Sequence, residues 1–403
     1  MKKKTVLIMM GMILFSIQSV YAKDTIISMN KYENEIFYRI ENSYQEDNTI
    51  DGSVILGKIT EKETNHFVLV KYNANGKLKW MVKHPIEEDS IDPSLLYTRT
   101  DNQIDGYLMI LPKGLETTFI KVDFKGNQEW EKTSSFHITK IREVKTGGYI
   151  ACGYNATQGV ILLYDNDFNI VWMREFPSHQ GVDVATIYEE EQVKSFVLIR
   201  KNAASAQLVQ FDKEGTEEKI IEDSLTKYDS TFLGEDDTGI LLYGSTSEVK
   251  LKKGEKSYFI IHYDGEENWE TIGNVPVNEK KKIIYYLEEE KPFLFYINSA
   301  DKTAEVVQFD EEGFVEKKVK KINSEYYDIE DFYVKEDILY LVGQINCPSD
   351  DECDYNKNSL FIISDEDVVI EVKDNSSKAI AIIIGVIFLL GIIMIIFHKK
   401  KKV

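Results

Sequence analysis

The chain has 403 residues, 68 of them Asp or Glu and 48 Lys or Arg, for a formal net charge of −20 at pH 7. So acidic a chain is repelled by nucleic-acid phosphates and anionic lipid head groups, which excludes nucleic acid as an expected partner. Three cysteines in this length exclude a disulfide-rich scaffold.

In chain order, Lys2, Lys3 and Lys4 precede an apolar run from Val6 to Phe15, and Val20-Tyr21-Ala22 supplies small residues at a cleavage position. This three-part pattern predicts a secretory signal over residues 1–22. The alternative is an uncleaved anchor, for which the run is short of a full span. With the three signal lysines and four tail lysines set aside, 41 basic residues remain against 68 acidic ones, a balance of −27 that reads as a solvated surface.

Residues 23–373 carry a four-strand pattern that recurs seven times. The stretches YNANGKLKW (Tyr72 to Trp80) and VDFKGNQEW (Val122 to Trp130) align residue for residue around an Asx-x-x-Gly turn and a closing Trp. The second, third and fourth strands of the first copy are DGSVILG (Asp51 to Gly57), FVLVKY (Phe67 to Tyr72) and KLKWMV (Lys77 to Val82). The turn-opening residues Asn73, Asp123, Asp165, Asp212, Asp264, Asp310 and Ser364 are 50, 42, 47, 52, 46 and 54 residues apart. That period fits four short strands with their turns and is too short for an immunoglobulin-type sandwich. The expected fold is therefore all-β, a seven-bladed β-propeller with four-stranded antiparallel blades. The strand around Glu35 to Tyr44 either opens the first blade or closes the last.

The turn chemistry follows from the residue types. Asx side chains bond the backbone two residues on and Gly supplies φ > 0, so the third and fourth strands reverse tightly. Trp80, Trp130, Trp172 and Trp269 are all the tryptophans of the chain and all follow this turn, where each is expected to fill the wedge between neighbouring blades. Gly57, Gly153, Gly244 and Gly343, after the second strands, are expected to mark close backbone approach at blade edges.

Candidate chemistry is sparse. Cys347 and Cys353 frame the insert CPSDDEC and are expected to form a local bridge outside the cell, whereas Cys152 reads as a buried small hydrophobe. Asp350, Asp351, Glu352 and Asp354 gather oxygen ligands of the kind calcium takes, but without the EF-hand spacing or its Gly the stretch reads first as a solvated acidic loop, with a calcium site as the alternative. No His pair has metal-ligand spacing and no nucleophile motif occurs, so no catalytic or cofactor residue is assigned. First-strand segments, which line a propeller's channel, contain Tyr97, His137, Tyr188, Tyr285, Tyr286, Tyr326 and Tyr327. An aromatic channel mouth can hold a glycan or peptide, but tyrosines this abundant read first as ordinary propeller core.

A linker over 374–378 leads to Ala379–Phe397, which lacks any charge and is long enough at 1.5 Å per residue to predict a transmembrane helix. The basic tail 398–403 beside it predicts a cytoplasmic C-terminus and an extracytoplasmic bulk. The upstream residues Glu371 to Lys378 contain neither Pro nor Gly, unlike a sortase signal, so the helix reads as a permanent anchor.

The DxxGxxxW motif (Asp123 to Trp130) and its copies at Asn73 and Asp165 resemble bacterial β-propeller repeats of the quinoprotein-like, WD40-like superfamily, over about residues 34–372. Some members bind pyrroloquinoline quinone with calcium and carry a disulfide between adjacent cysteines; the cysteines here are separated by five intervening residues, and no cofactor is carried over. The resemblance implies the fold and leaves activity open. The leading expectation is a membrane-anchored binding module for an extracytoplasmic protein, peptide or glycan. The alternative is an extracytoplasmic enzyme, glycan-active or quinone-dependent, with its site at the channel mouth.

Overall fold

The computed structural model describes residues 25–27, 33–86, 93–100 and 103–222, then 225, 230–235, 239–246, 257–263, 268–273, 284–288, 291–298, 303–309, 315–323, 327–335, 338–345 and 359–364. The expected signal (1–22) and linker (374–378), the apolar segment 379–397 and the basic stretch 398–403 lie outside these residues, as do Cys347, Cys353, Asp350, Asp351, Glu352, Asp354 and Tyr326. Among the described residues no helix is long and apolar enough to cross a membrane.

The described chain is all-β. A short strand β1 (Thr25–Ile27) precedes sheet one, made of β2 (Glu33–Tyr44), β3 (Ile50–Glu61), β4 (Thr64–Asn73) and β5 (Leu78–Pro85). Sheet two holds β6 (Ser94–Thr100), β7 (Gln103–Lys113), β8 (Glu116–Asp123) and β9 (Gln128–Ser134). Sheet three holds β10 (His137–Glu143), β11 (Tyr149–Tyr154), β12 (Gln158–Tyr164) and β13 (Ile170–Pro177). Sheet four holds β14 (Gln180–Glu189), β15 (Gln192–Lys201), β16 (Ala206–Asp212) and β17 (Glu217–Glu222). Sheet five holds β18 (Ser230–Glu235), β19 (Ile240–Thr246), β20 (Ser257–Tyr263) and β21 (Asn268–Gly273). Sheet six holds β22 (Ile284–Glu288), β23 (Lys291–Asn298), β24 (Thr303–Phe309) and β25 (Val315–Asn323). The last sheet takes β26 (Tyr327–Lys335), β27 (Ile338–Ile345) and β28 (Ser359–Ser364) and is completed by β1, in the order β1-β28-β27-β26.

Of the two roles left open for Glu35 to Tyr44, the structure takes the first, since β2 opens sheet one. The closing strand is the shorter segment upstream, with Ile26 in register with Ile362. First strands also adjoin in cyclic order, from β2 to β6 and onward to β26, which returns to β2. The arrangement is propeller-like.

Why the middle strands read as continuous apolar runs follows from what covers them. Both faces of sheets one to four meet a neighbour, so the period-two alternation there divides residues between two cores rather than between core and water. In β3, Ile55 and Ile59 join Tyr333 and Val342 of the last sheet, while Val54 and Leu56 join Tyr107, Met109 and Ile120 of sheet two. In β11, Tyr149 and Ala151 face Leu108 and Phe119 of sheet two, while Ile150 and Cys152 face Val184 and Leu198 of sheet four. Fourth strands are wetter, and Ile170 and Val171 of β13 are 51% and 59% exposed.

The reversal from third to fourth strand repeats in four sheets. Asp123 Oδ1 accepts the backbone N–H of Lys125 at 2.9 Å and of Asn127 at 2.7 Å, and the Gly126 N–H closes on the Asp123 carbonyl at 3.1 Å. Asn73, Asp165 and Asp212 accept the equivalent N–H of Lys77, Asn169 and Thr216 at 2.8, 2.8 and 2.6 Å. The left-handed position holds Gly76, Gly126 and Gly215 at φ 69°, 87° and 81°, but Phe168 at φ 59° in sheet three.

The tryptophans meet these turns one sheet further on. Trp80 Nε1 donates to the Phe124 carbonyl at 2.9 Å, and Trp172 Nε1 to the Lys213 carbonyl at 3.1 Å. Trp130 lies against the ring of Phe168, with centroids 5.5 Å apart. All three are half-buried, each beside the core it shares with the following sheet. Trp269 lies in β21, and its side chain is outside the described residues.

The placement expected for the second-strand glycines requires correction. Gly57 and Gly153 sit within their sheets, in register with Phe37 and Ile138 of the first strand. A Cβ at Gly57 would stand 2.6 Å from the Ile36 carbonyl oxygen, and one at Gly153 would meet the His137 carbonyl oxygen. The close approach is therefore to the sheet's own first strand, and the reason is a bulge. The register slips between Phe37 and Arg39, between Ile138 and Lys140, between Gly181 and Asp183, and between Ile329 and Asp331.

Candidate functional site

Each of those four bulges is followed at once by a charged residue: Arg39, Lys140, Asp183 and Asp331. A bulge re-aims the side chain that follows it. Here the redirected groups belong to an ionic belt across the first strands.

Its bonds run from sheet to sheet. Asp331 Oδ2 accepts the Ile40 N–H at 3.1 Å, joining the last sheet to the first. The Tyr97 hydroxyl donates to Glu41 Oε2 at 3.0 Å, and Arg99 pairs with Glu143. Arg142 Nη2 meets Asp183 Oδ1 at 3.1 Å, while the same guanidinium donates to the Val184 and Leu233 carbonyls, so that one side chain ties sheets three, four and five. Asp183 Oδ2 accepts the Leu233 N–H at 2.8 Å, and Glu235 Oε1 accepts the Thr186 N–H at 2.7 Å. These carboxylates satisfy N–H groups along the inner edges of the sheets, which would otherwise be unpaired.

Crowding of like charges and withdrawal from water set the protonation of the belt. Burial, with the Asp331 charge adding to it, pushes the Glu41 carboxyl up to about 8 against the opposing bond from Tyr97. Burial also raises Asp331, against Arg39, and Glu143, against Arg99. Lys140 is held below the ordinary lysine range by burial and then by the Arg142 charge. Arg142 remains charged because Asp183 and Glu235 outweigh its own burial.

This belt was not singled out in the sequence, where the first strands drew notice for their aromatics. The structure gives those aromatics other surroundings. Tyr97 also donates to the Asn42 carbonyl at 3.2 Å and stands edge-on to Tyr44 at 5.2 Å. Tyr188 is 7% exposed and its hydroxyl accepts the Lys145 N–H at 2.9 Å. His137 stacks on Tyr154 at 4.7 Å, with Nδ1 2.8 Å from the Gly114 carbonyl. Tyr285 and Tyr286 lie in β22 and Tyr327 in β26, with side chains outside the described residues. Cys152 is buried, and burial pushes its thiol up to about 12. Among the described residues no group of three or more His, Cys, Asp or Glu is placed to hold a metal ion.

A second feature lies at the end where second strands turn into third and fourth strands pass to the next sheet. Between sheets three and four, the loop after β11, the link after β13 and the loop after β15 enclose an open cleft of about 510 Å³. Its two side walls are the same local structure. Asn155 Oδ1 accepts the N–H of Thr157 and Gln158 at 2.9 and 3.0 Å, and Asn202 Oδ1 accepts those of Ala204 and Ser205 at 2.8 and 2.7 Å. Between them His179 is fixed, Nδ1 3.1 Å from the Pro177 carbonyl and Nε2 3.0 Å from Asn202 Nδ2. The amide can only donate there, so Nε2 accepts and Nδ1 carries the proton.

No protein-family model matches the sequence, and no curated protein matches it. Solved structures do align with it. Acylaminoacyl peptidase of Pyrococcus horikoshii aligns at 14% identity over 84% of this chain and 53% of that one, with a TM-score of 0.48. The Dos1 propeller aligns at 11% identity over 82% and 84%, with a TM-score of 0.45. A 6-phosphogluconolactonase-like protein of Bacteroides uniformis aligns at 13% identity over 69% and 82%, again with a TM-score of 0.45.

Proposed function

We propose that the chain is a membrane-anchored, seven-bladed propeller of the quinoprotein-like, WD40-like kind that acts as an extracytoplasmic binding module for a protein, peptide or glycan. One observation carries this reading. Glu41, Arg142, Asp183, Glu235 and Asp331 of the first strands are engaged in bonds between sheets, whereas the loops at one end leave an open polar cleft on a rigid frame. Binding residues are commonly carried in this way, on loops positioned by a scaffold. The N-terminal signal, the uncharged segment 379–397 and the basic tail support the extracytoplasmic placement.

Crosslinking on intact cells followed by capture of the full chain tests the reading. Recovery of an envelope protein or polymer is the expected result, and recovery of neither counts against it. Protease added outside the cells is expected to remove the bulk of the chain and spare only a membrane-embedded fragment.

An enzyme at the channel mouth is the second reading, favoured by Glu41, whose raised proton affinity beside Tyr97 suits a general acid at neutral pH. Turnover of a glycan by the purified chain that disappears in Glu41→Gln would establish it, and turnover unchanged in that variant would remove it.

A further inference from the structure

We infer that the cleft between sheets three and four is a saccharide subsite, and that the unit it takes carries one acidic group of the uronate kind, set against Lys201. This deepens the binding-module reading and rests on it.

The size of the cleft, about 510 Å³, lies within the range that encloses a small ligand. Its lining is polar: Asn155, Thr157, Gln158, Ser178, Gln180 and Lys201 contribute amides, hydroxyls and one ammonium. Groups that both donate and accept, placed close together, match vicinal sugar hydroxyls, which do the same. An apolar ligand would strip these groups of water without replacing the bonds.

The walls are also preorganised. Because Asn155 Oδ1 is held by two backbone N–H groups, its NH₂ is directed away from its own turn and has no partner among the described residues. On the rim, Gln180 and Lys201 are cross-strand partners in the ladder of β14 and β15, so the amide and the ammonium stand side by side. Next to the lining residue Gln158, Gly159 lets β12 pack closely on the link after β13: a Cβ there would stand 2.5 Å from the His179 carbonyl oxygen and would also meet the ring of buried Phe176.

Charge selects the acidic sugar over a neutral one. The chain as a whole carries −20, yet the lining includes Lys201 and no carboxylate. The acid bonded to a lining residue, Glu175, is engaged by Gln158 Nε2 at 3.0 Å. Lys201 forms no ion pair among the described residues, so a carboxylate arriving from a ligand displaces only water from it. A sugar carboxylate held there gains a charge-assisted bond that a neutral sugar lacks.

The test is calorimetric titration of the full chain in detergent micelles with tetragalacturonate and with maltotetraose. The acidic oligosaccharide is expected to bind at least about tenfold more tightly, an advantage that high salt reduces. Lys201→Gln is expected to weaken the acidic sugar more than the neutral one and so abolish most of that preference, and Gln180→Ala to weaken both alike. Both side chains are exposed at strand ends, and an unchanged thermal midpoint verifies the fold of each variant. Equal affinity for the two sugars, no binding of either, or no effect of Lys201→Gln overturns the proposal. Crosslinking capture on cells separates this failure from that of the module: a partner recovered equally by wild type and both variants removes the cleft and keeps the module, whereas no partner with wild type removes the module itself.

Discussion

Gly126 and Phe168 occupy the same left-handed turn position, and their environments make a side chain costly at the first and its removal costly at the second. A Cβ on Gly126 would stand 2.9 Å from Trp80 Cδ2, on a backbone at φ 87°. Gly126→Ala is therefore expected to lose about 2–3 kcal/mol from combined backbone strain and overpacking. Gly114→Ala, at φ 58° in open space, serves as the control and is expected to lose about 1 kcal/mol. At Phe168 the buried ring outweighs the strain, since it contacts Tyr149, Tyr164, Phe119 and Trp130. Phe168→Gly is accordingly expected to destabilise by about 3 kcal/mol despite relieving φ. Urea unfolding of the three variants decides the order. Glu41 gives a separate test at this scale. Its folded carboxyl is raised from 4.5 to about 8, so the native state binds more protons across that interval and this contribution to stability falls as pH rises. Asp331, Glu143 and Glu235 are raised as well and act in the same direction, while the lowered Asp105, Asp123 and Asp165 act only in strong acid. Urea midpoints at pH 5 and pH 8 are therefore expected to differ less in Glu41→Gln than in the wild type; an equal difference would show that Glu41 titrates normally.

At the scale of the element, strand order and turn chemistry were legible because they are local. The Asx-x-x-Gly turn closes within five residues, and its donors and acceptors are all present in the motif itself. The bulges were not legible. FYRIEN and ITKIREV each show apolar and charged residues interleaved, a pattern equally consistent with a regular strand having one wet face. The glycines opposite them were the available signal, and their reading as edge markers missed that a first strand was pressed against them. The belt the bulges create depends heavily on Arg142. Removing that guanidinium leaves Asp183, 4% exposed, without its cation, and Arg142→Met is expected to cost about 3–5 kcal/mol. Lys132→Met, outside the belt on β9, is expected to change stability by under about 1 kcal/mol. Equal losses in a denaturation series would mean the belt adds nothing to cohesion.

For the whole molecule, the consequential feature is that β1 completes a sheet whose other three strands lie at the far end of the described chain. Ile26→Pro sets a ring with fixed φ and no N–H in the middle of the three-residue β1, at the Ile26–Ile362 register, and is expected to weaken the pairing of β1 with β28 by about 1 kcal/mol. The expected outcome is a lower thermal midpoint and early proteolytic cleavage between residues 338 and 364, read by mass spectrometry; cleavage unaltered there would mean the ends are not interdependent. The sequence by itself determined the strand period, the turn residues and the four-strand unit, because each is written in contacts between residues a few positions apart. Only the tertiary structure decided which N-terminal segment completes the last sheet, which charged groups meet across the first strands and which loops enclose the cleft. Those are meetings between residues as distant as Ile40 and Asp331, 291 positions apart, and no local periodicity encodes which sheet will lie beside which.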